Sequence, residues 1–144
     1  ERALAVHRRY DEPFGLLVLD LDHFKSVNDR FGHREGDAVL VRFAEVVTAI
    51  SRQTDRLFRL GGEEFVLLVP RVDAAALSVV AQDILQEVAQ RVSSPGGPVT
   101  VSIGGAVLAG HETADDWLHE ADQCLYEAKR LGRNCSVISG LEQN

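Results

Sequence analysis

The chain has 144 residues, 45% of them apolar, and a formal net charge of −7. That length suits a single domain with a buried core. The acidic balance argues against general binding to nucleic-acid polymers or anionic membrane surfaces, but leaves room for a local nucleotide site built from a few cations.

Two cysteines, Cys124 and Cys135, stand in no metal-like spacing, which fits a reducing compartment without a disulfide framework. No apolar run approaches the ~20 residues of a membrane helix, and the opening residues do not read as a signal peptide. We therefore expect a cytoplasmic domain with no membrane insertion. The opening Glu1-Arg2-Ala3-Leu4-Ala5-Val6 reads as the inside of a helix. Residues 1–144 are accordingly expected to form one domain of a longer multidomain protein.

Residues 1–10 read as a short helix broken by Asp11-Glu12-Pro13. Phe14 to Asp22 is a near-continuous apolar run that ends in acids, the pattern of a strand buried on both faces. Its carboxyl end delivers Asp20 and Asp22 to the sheet edge, where α/β folds commonly place their sites. His23 to Gly32 predicts a short helix stopped by glycine. His33 to Asp37 then leads into an amphipathic helix, with Asp37 at its opening and Val39, Phe43, Val46 and Ile50 on one inward face.

Arg56 to Leu60 and Phe65 to Val69 are strand-like runs joined by Gly61-Gly62-Glu63-Glu64, a hairpin signature. Asp73 is placed to cap a third helix, with Leu77, Ala81, Ile84 and Val88 inward. Ser93 to Pro98 reads as a loop and Val99 to Val107 as a strand of alternating period. Thr113 or Asp115 opens the last helix, with Leu118, Ala121, Leu125 and Ala128 inward. Cys135 to Ile138 is a final strand. The order α-β-α-α-β-β-α-β-α-β mixes hairpin and crossover connections, so the expected fold is an α/β sandwich with a mixed sheet of about five strands covered by helices.

Several stretches carry polar groups that a core does not explain. Adjacent carboxylates at Glu63 and Glu64 repel each other, and a turn does not require them. Either they form a solvated acidic turn, or glycine backbone approaches phosphate while carboxylates hold a hard cation. Asp20, Asp22, Lys25, Asn28, Asp37, Lys129 and Arg133 complete an inventory suited to a metal-bound triphosphate. Each also has a plainer explanation: Lys129 and Arg133 favour a helix C-terminus, and Asp37 an N-terminus.

The sequence resembles the GGDEF domain, the diguanylate cyclase catalytic domain, in its GGEEF variant. The resemblance rests on Asp20-Leu21-Asp22-His23-Phe24-Lys25, Asn28-Asp29, Gly32-His33, Gly36-Asp37, Arg59 to Phe65, Val101 to Gly104, and Ala121 to Asn134, in family order. It implies a nucleotide-cyclase-like, ferredoxin-like fold and condensation of two GTP into cyclic di-GMP.

Residue by residue, it implies that Asp20, the Leu21 carbonyl and Glu64 hold Mg²⁺ or Mn²⁺. Glu63 would assist the attacking ribose hydroxyl, and Gly61 and Gly62 would admit the triphosphate. The backbone at His23 and Phe24, with Lys25, Lys129 and Arg133, would hold phosphates, while Asn28 and Asp37 would select guanine. Arg52 and Asp55 form the R-x-x-D of an inhibitory cyclic di-GMP site. Implied partners are GTP, cyclic di-GMP, a second copy in a homodimer, and an upstream sensory or dimerisation domain. The family's usual D-x-L-T-G-L-x-N-R opening does not occur in residues 1–144, and Leu60 stands where the family prefers Tyr. The alternative is a catalytically weak module that binds GTP or cyclic di-GMP and regulates an attached domain.

Overall fold

A computed structural model describes residues 13–108 and 113–141. The helix expected over residues 1–10 lies outside them. In chain order the elements are β1 (Phe14–Leu21), α1 (Phe24–Phe31), α2 (His33–Ile50), β2 (Arg56–Gly61), β3 (Glu64–Pro70), α3 (Ala74–Arg91), β4 (Ser93–Ser94), β5 (Gly97–Pro98), β6 (Val101–Val107), α4 (Ala114–Arg130) and β7 (Ser136–Ile138). The main sheet has five strands in the order β2-β3-β1-β6-β7. Only β6 and β7 pair in parallel; the other neighbours are antiparallel. Among the described residues no helix is long and apolar enough to cross a membrane.

β1 is buried along its whole length, as its unbroken apolar run predicts. Its odd-numbered residues Leu17, Leu19 and Leu21 face the larger core with Phe65 and Leu67 of β3, roofed by α1, α2 and α3. Phe43 of α2 and Phe65 of β3 meet there with ring centroids 4.9 Å apart. Its even-numbered residues Phe14, Leu16 and Val18 face a second core under Trp117, Ala121 and Leu125 of α4. Strand side chains alternate between faces, so this second face continues along β1 into Asp20. The α4 side of the sheet thus passes from hydrocarbon to carboxylate.

β6 departs from the alternation expected of it. It begins at Val101 rather than Val99 and is buried on both faces through Ala106. Its small residues are there for helix approach: a Cβ on Gly104 would lie 2.1 Å from the Leu125 backbone nitrogen and 2.3 Å from the Ala121 carbonyl oxygen. Trp117 fixes the other end of α4, its indole N–H donating to the Ala106 carbonyl at 3.0 Å.

Four further expectations are corrected. Ile50 is 37% exposed, because α2 has passed the edge of the core by its last turn; Leu40 and Val47 are buried instead. Asp37 does not open α2, which starts four residues earlier at His33. Ser93 to Pro98 closes as a small hairpin, β4 with β5. On α4 the fully inward residue of the first turns is Trp117, with Leu118 only partly buried. The caps are as expected, with Asp73 accepting from the Ala76 N–H and Thr113 from the Asp116 N–H.

Since backbone cannot yield as a side-chain tip can, Gly104→Ala should destabilise the domain by about 1–3 kcal/mol or more. Urea unfolding of wild type and variant measures it.

Candidate active site

The acids are brought together by strand register. Asp20 lies directly opposite Glu64 in the β1–β3 ladder and opposite Ser102 in the β1–β6 ladder. Directly opposed residues project on one face, so both carboxylates lie on the α4 side. β2 and β3 form the predicted hairpin, with the ladder register shifting between Arg59 and Gly61. Gly62, at φ 52°, occupies the left-handed region that its turn requires, and the Arg59 Nε donates to its carbonyl at 2.9 Å.

α4 supplies the counter-charge. Lys129 Nζ donates to Asp20 Oδ2 at 2.5 Å, with the Asp20 side chain nearly buried and the Lys129 side chain about one-third exposed. Burial nevertheless raises the Asp20 pKa above the usual carboxylate range; the Lys129 hydrogen bond and charge oppose that rise, and Glu63 and Asp22 add to it. Burial also raises the Glu64 pKa, reinforced by the charges of Asp20 and Asp122 and opposed by Lys129.

An open cleft of about 150 Å³ runs alongside, lined by Asp20, Leu21, Asp22, His23, Phe24, Lys25, Glu63, Lys129 and Arg133. Seven residues of the cleft, His23, Phe24, Lys25, Asp20, Leu21, Lys129 and Arg133, were expected from sequence at a phosphate or metal site, and Glu63 joins them. His23 caps α1 in the left-handed conformation, φ 56°, without a side-chain cap bond. Lys25, on the first turn of α1, pairs with Asp29 at 2.9 Å on the surface.

Other predicted residues lie outside that lining. Asn28 faces α2: its Oδ1 is buried without a hydrogen-bond partner, and a Cβ on Gly36 would sit 1.8 Å from it. Asp37 is exposed one residue further along α2, and Gly61 and Gly62 are exposed at the hairpin tip. Arg52 and Asp55 form a closed turn before β2. Asp55 Oδ2 accepts from the Arg52 backbone N–H at 2.8 Å, Arg52 Nε donates to Asp55 Oδ1 at 3.3 Å, and a guanidinium nitrogen donates to the Pro70 carbonyl.

Sequence reasoning gave Asp122 no role, and counted Asp22 in the metal-triphosphate inventory without a specific task. Asp122 adds a third carboxylate toward Glu64; its own pKa is raised by burial and held back by His119 and Lys129. Its spacing of seven from Lys129, two helical turns, was the available signal. Asp22 is 6% exposed and accepts from Thr100, Ser102 and the Asn134 backbone.

Two opposed carboxylates whose ionisation burial resists fit a hard cation with oxygen ligands. A pair is the protein share that Mg²⁺ commonly takes when phosphate oxygens and water complete its shell. Among the described residues no set of three or more His, Cys, Asp or Glu forms a cage by itself.

Over residues 1–135 the chain matches the family described as diguanylate cyclase, GGDEF domain. It belongs to that family. Diguanylate cyclase DgcM of Escherichia coli is 43% identical over 129 residues, covering 89% of this chain and 31% of that protein. Diguanylate cyclase DgcS of Shewanella oneidensis is 36% identical over 140 residues, covering 96% of this chain and 47% of that protein. The chain thus spans less than half the length of these relatives.

Among solved structures, the active GGEEF domain of a diguanylate cyclase from Vibrio cholerae superimposes with a TM-score of 0.90 at 30% identity, over 98% of this chain and 92% of that one. The GGDEF domain of DgcB from Caulobacter crescentus, in complex with c-di-GMP, gives 0.88 at 34% identity, over 95% of this chain and 84% of that one. The mixed five-stranded sheet covered by helices is therefore the family fold.

The raised pKa of Glu64 has a stability consequence. Its folded value lies above its unfolded value, so stability falls as pH rises through that interval and the penalty is complete above it. Metal-free Glu64→Gln should therefore melt higher than wild type at neutral pH. The gain should vanish below about pH 4, where both states are protonated. Thermal scans across pH check both the sign and the window.

Proposed function

We propose that this domain is a diguanylate cyclase that condenses two GTP molecules into cyclic di-GMP and releases two pyrophosphates. The observation that carries the reading is Asp20 opposed to Glu64 beside a cleft that also holds Lys25, Lys129 and Arg133. Carboxylates for a cation and cations for phosphate meet where a triphosphate needs both.

Asp20, Glu64 and the Leu21 carbonyl would hold Mg²⁺ or Mn²⁺, which when bound neutralises charge on phosphate oxygens. Lys25, Lys129 and Arg133, with the N–H groups of His23 and Phe24 at the start of α1, hold the β- and γ-phosphates. Gly61 and Gly62, lacking side chains, leave the hairpin tip open to the triphosphate. Glu63, lining the cleft, assists loss of the proton from the ribose 3′-hydroxyl as that oxygen bonds to an α-phosphorus and pyrophosphate leaves.

Asn28 and Asp37 read guanine. Asn28 Oδ1 has no partner within the protein, an unmet acceptor that rotation of the amide toward a base-edge donor would satisfy. One site holds one GTP, so two copies related by a two-fold axis must face each other to complete the product. A sensory or dimerisation domain of a longer protein would bring them together.

Incubation with GTP and Mg²⁺, with the product identified by mass, tests the reading. Cyclic di-GMP is expected, and Glu64→Ala should reduce the rate to below about a tenth of wild type; a variant that keeps more would remove Glu64 from the metal site.

The R-x-x-D turn is the inhibitory product site in this reading. Its place before β2, at the other end of that strand from the hairpin turn, and its absence from the cleft lining suit non-competitive inhibition. Arg52→Ala should lose tight cyclic di-GMP binding, keep GTP binding and turn over longer before stalling. Equal cyclic di-GMP affinity of wild type and variant by calorimetry would leave Arg52 as a brace of its own turn, paired with the buried Asp55 side chain.

A further inference from the structure

We propose that Asp22 is a positioning residue: its carboxylate anchors the turn after α4 and so holds Arg133 in the cleft, and it is not a second acid of the metal site. The proposal rests on the reading of Arg133 as a phosphate ligand. Asp20 and Asp22 are two apart at one strand end and look equivalent in sequence. Their surroundings differ. Asp20 faces Lys129 and Glu64. Asp22 has its oxygens committed to three donors: Ser102 Oγ at 2.6 Å on Oδ1, and Thr100 Oγ1 at 2.7 Å with the Asn134 N–H at 3.0 Å on Oδ2. Its own N–H donates to the Thr100 carbonyl at 2.9 Å.

A carboxylate has about four lone-pair sites, and three of these are taken by the protein. What remains is poorly suited to gripping a cation, whereas the three donors tie β1, the start of β6 and the turn after α4 to one point.

That turn needs holding. Gly132, Arg133 and Asn134 have φ of 121°, 66° and 48° in succession, and two of them are side-chain-bearing residues in the left-handed region, which persists only where surroundings enforce it. On the helix side the Arg133 N–H donates to the Ala128 carbonyl at 3.0 Å and the Gly132 N–H to the Lys129 carbonyl at 3.3 Å. On the far side the Asn134 N–H has Asp22. With both ends fixed, the residue between them, Arg133, is held in the lining of the cleft. Without the acceptor, a part-buried N–H is orphaned and the turn can relax.

The test uses the chain with Mg²⁺ and 3′-deoxy-GTP, which cannot react because the attacking hydroxyl is missing. Calorimetry gives affinity, and amide hydrogen exchange by NMR reads the Asn134 N–H independently of nucleotide. Asp22→Ala should speed Asn134 exchange and weaken binding about tenfold or more, the worth of one charge-assisted phosphate contact. Arg133→Ala should weaken binding similarly, and the double variant should be no worse than Arg133→Ala alone.

Asp22→Asn should restore both readouts, because its amide oxygen can accept from Thr100 and Asn134 while its NH₂ donates to Ser102. A metal ligand would not tolerate that change. Asp22→Asn that protects Asn134 yet abolishes turnover of GTP therefore overturns the proposal, and this arm decides even where Asp22→Ala does not fold. Unchanged Asn134 exchange in Asp22→Ala overturns the anchoring. Wild type that binds no analogue overturns the nucleotide reading instead, while the exchange result still decides the anchoring.

Discussion

The close approach of α4 to β6 at Gly104 is the constraint on which the site depends. Helix backbone lies where a side chain would otherwise stand, so α4 rides lower on the sheet than any larger residue would allow. Leu125 sits over that point, and Lys129 follows one turn later. The ammonium therefore arrives at Asp20 because hydrocarbon packing two strands wide has already set the height of the helix. Trp117 pins the opposite end through the Ala106 carbonyl. Packing and charge are two ends of one docked element, and the acids of β1 lie where its apolar underside runs out.

The electrostatics follow from that geometry. A buried carboxylate beside a second one is costly to ionise, and one lysine offsets only part of the cost, since Asp20 and Glu64 both remain raised. A cation brought beside these carboxylates would ease their ionisation. The fold tolerates the cost because these acids are confined to one sheet end, while the two core clusters are built from apolar side chains.

Much of this was legible in the sequence. An apolar run that ends in acids announced β1 and its acidic end, the paired glycines announced the hairpin, and Asp73 announced its helix, while the start of α4 was left between Thr113 and Asp115. What could not be read has particular causes. The small residues of β6 mimic the polar phase of an alternating strand, so burial on both faces was hidden until α4 was seen pressing on Gly104. Gly36 lies inside α2, where Asn28 takes the space its side chain would need, and nothing in the apolar pattern before Val39 marks that first turn as helix. That misplaced the start of the helix and the setting of Asp37. Asp20 and Asp22 are indistinguishable as letters; only partners 78 to 112 residues away separate them.

The hairpin turn has a bearing on how the family motif can vary. Gly62 and Glu63 are all that separates the last residue of β2 from the first of β3, and β3 is locked to β1 from Glu64 to Pro70. Exchanging one acid for another in that turn alters reach by a single methylene and leaves the ladder alone. Removing a residue has no such latitude. The missing length must come out of β3, and a slip of one exchanges its two faces, driving Glu64 toward the space of Phe65 and Leu67 while turning those side chains to the acids. The motif is therefore more tolerant of changes in spelling than of changes in length, and lineages that drift at this hairpin should do so by substitution, with indels confined to the connections that no ladder measures.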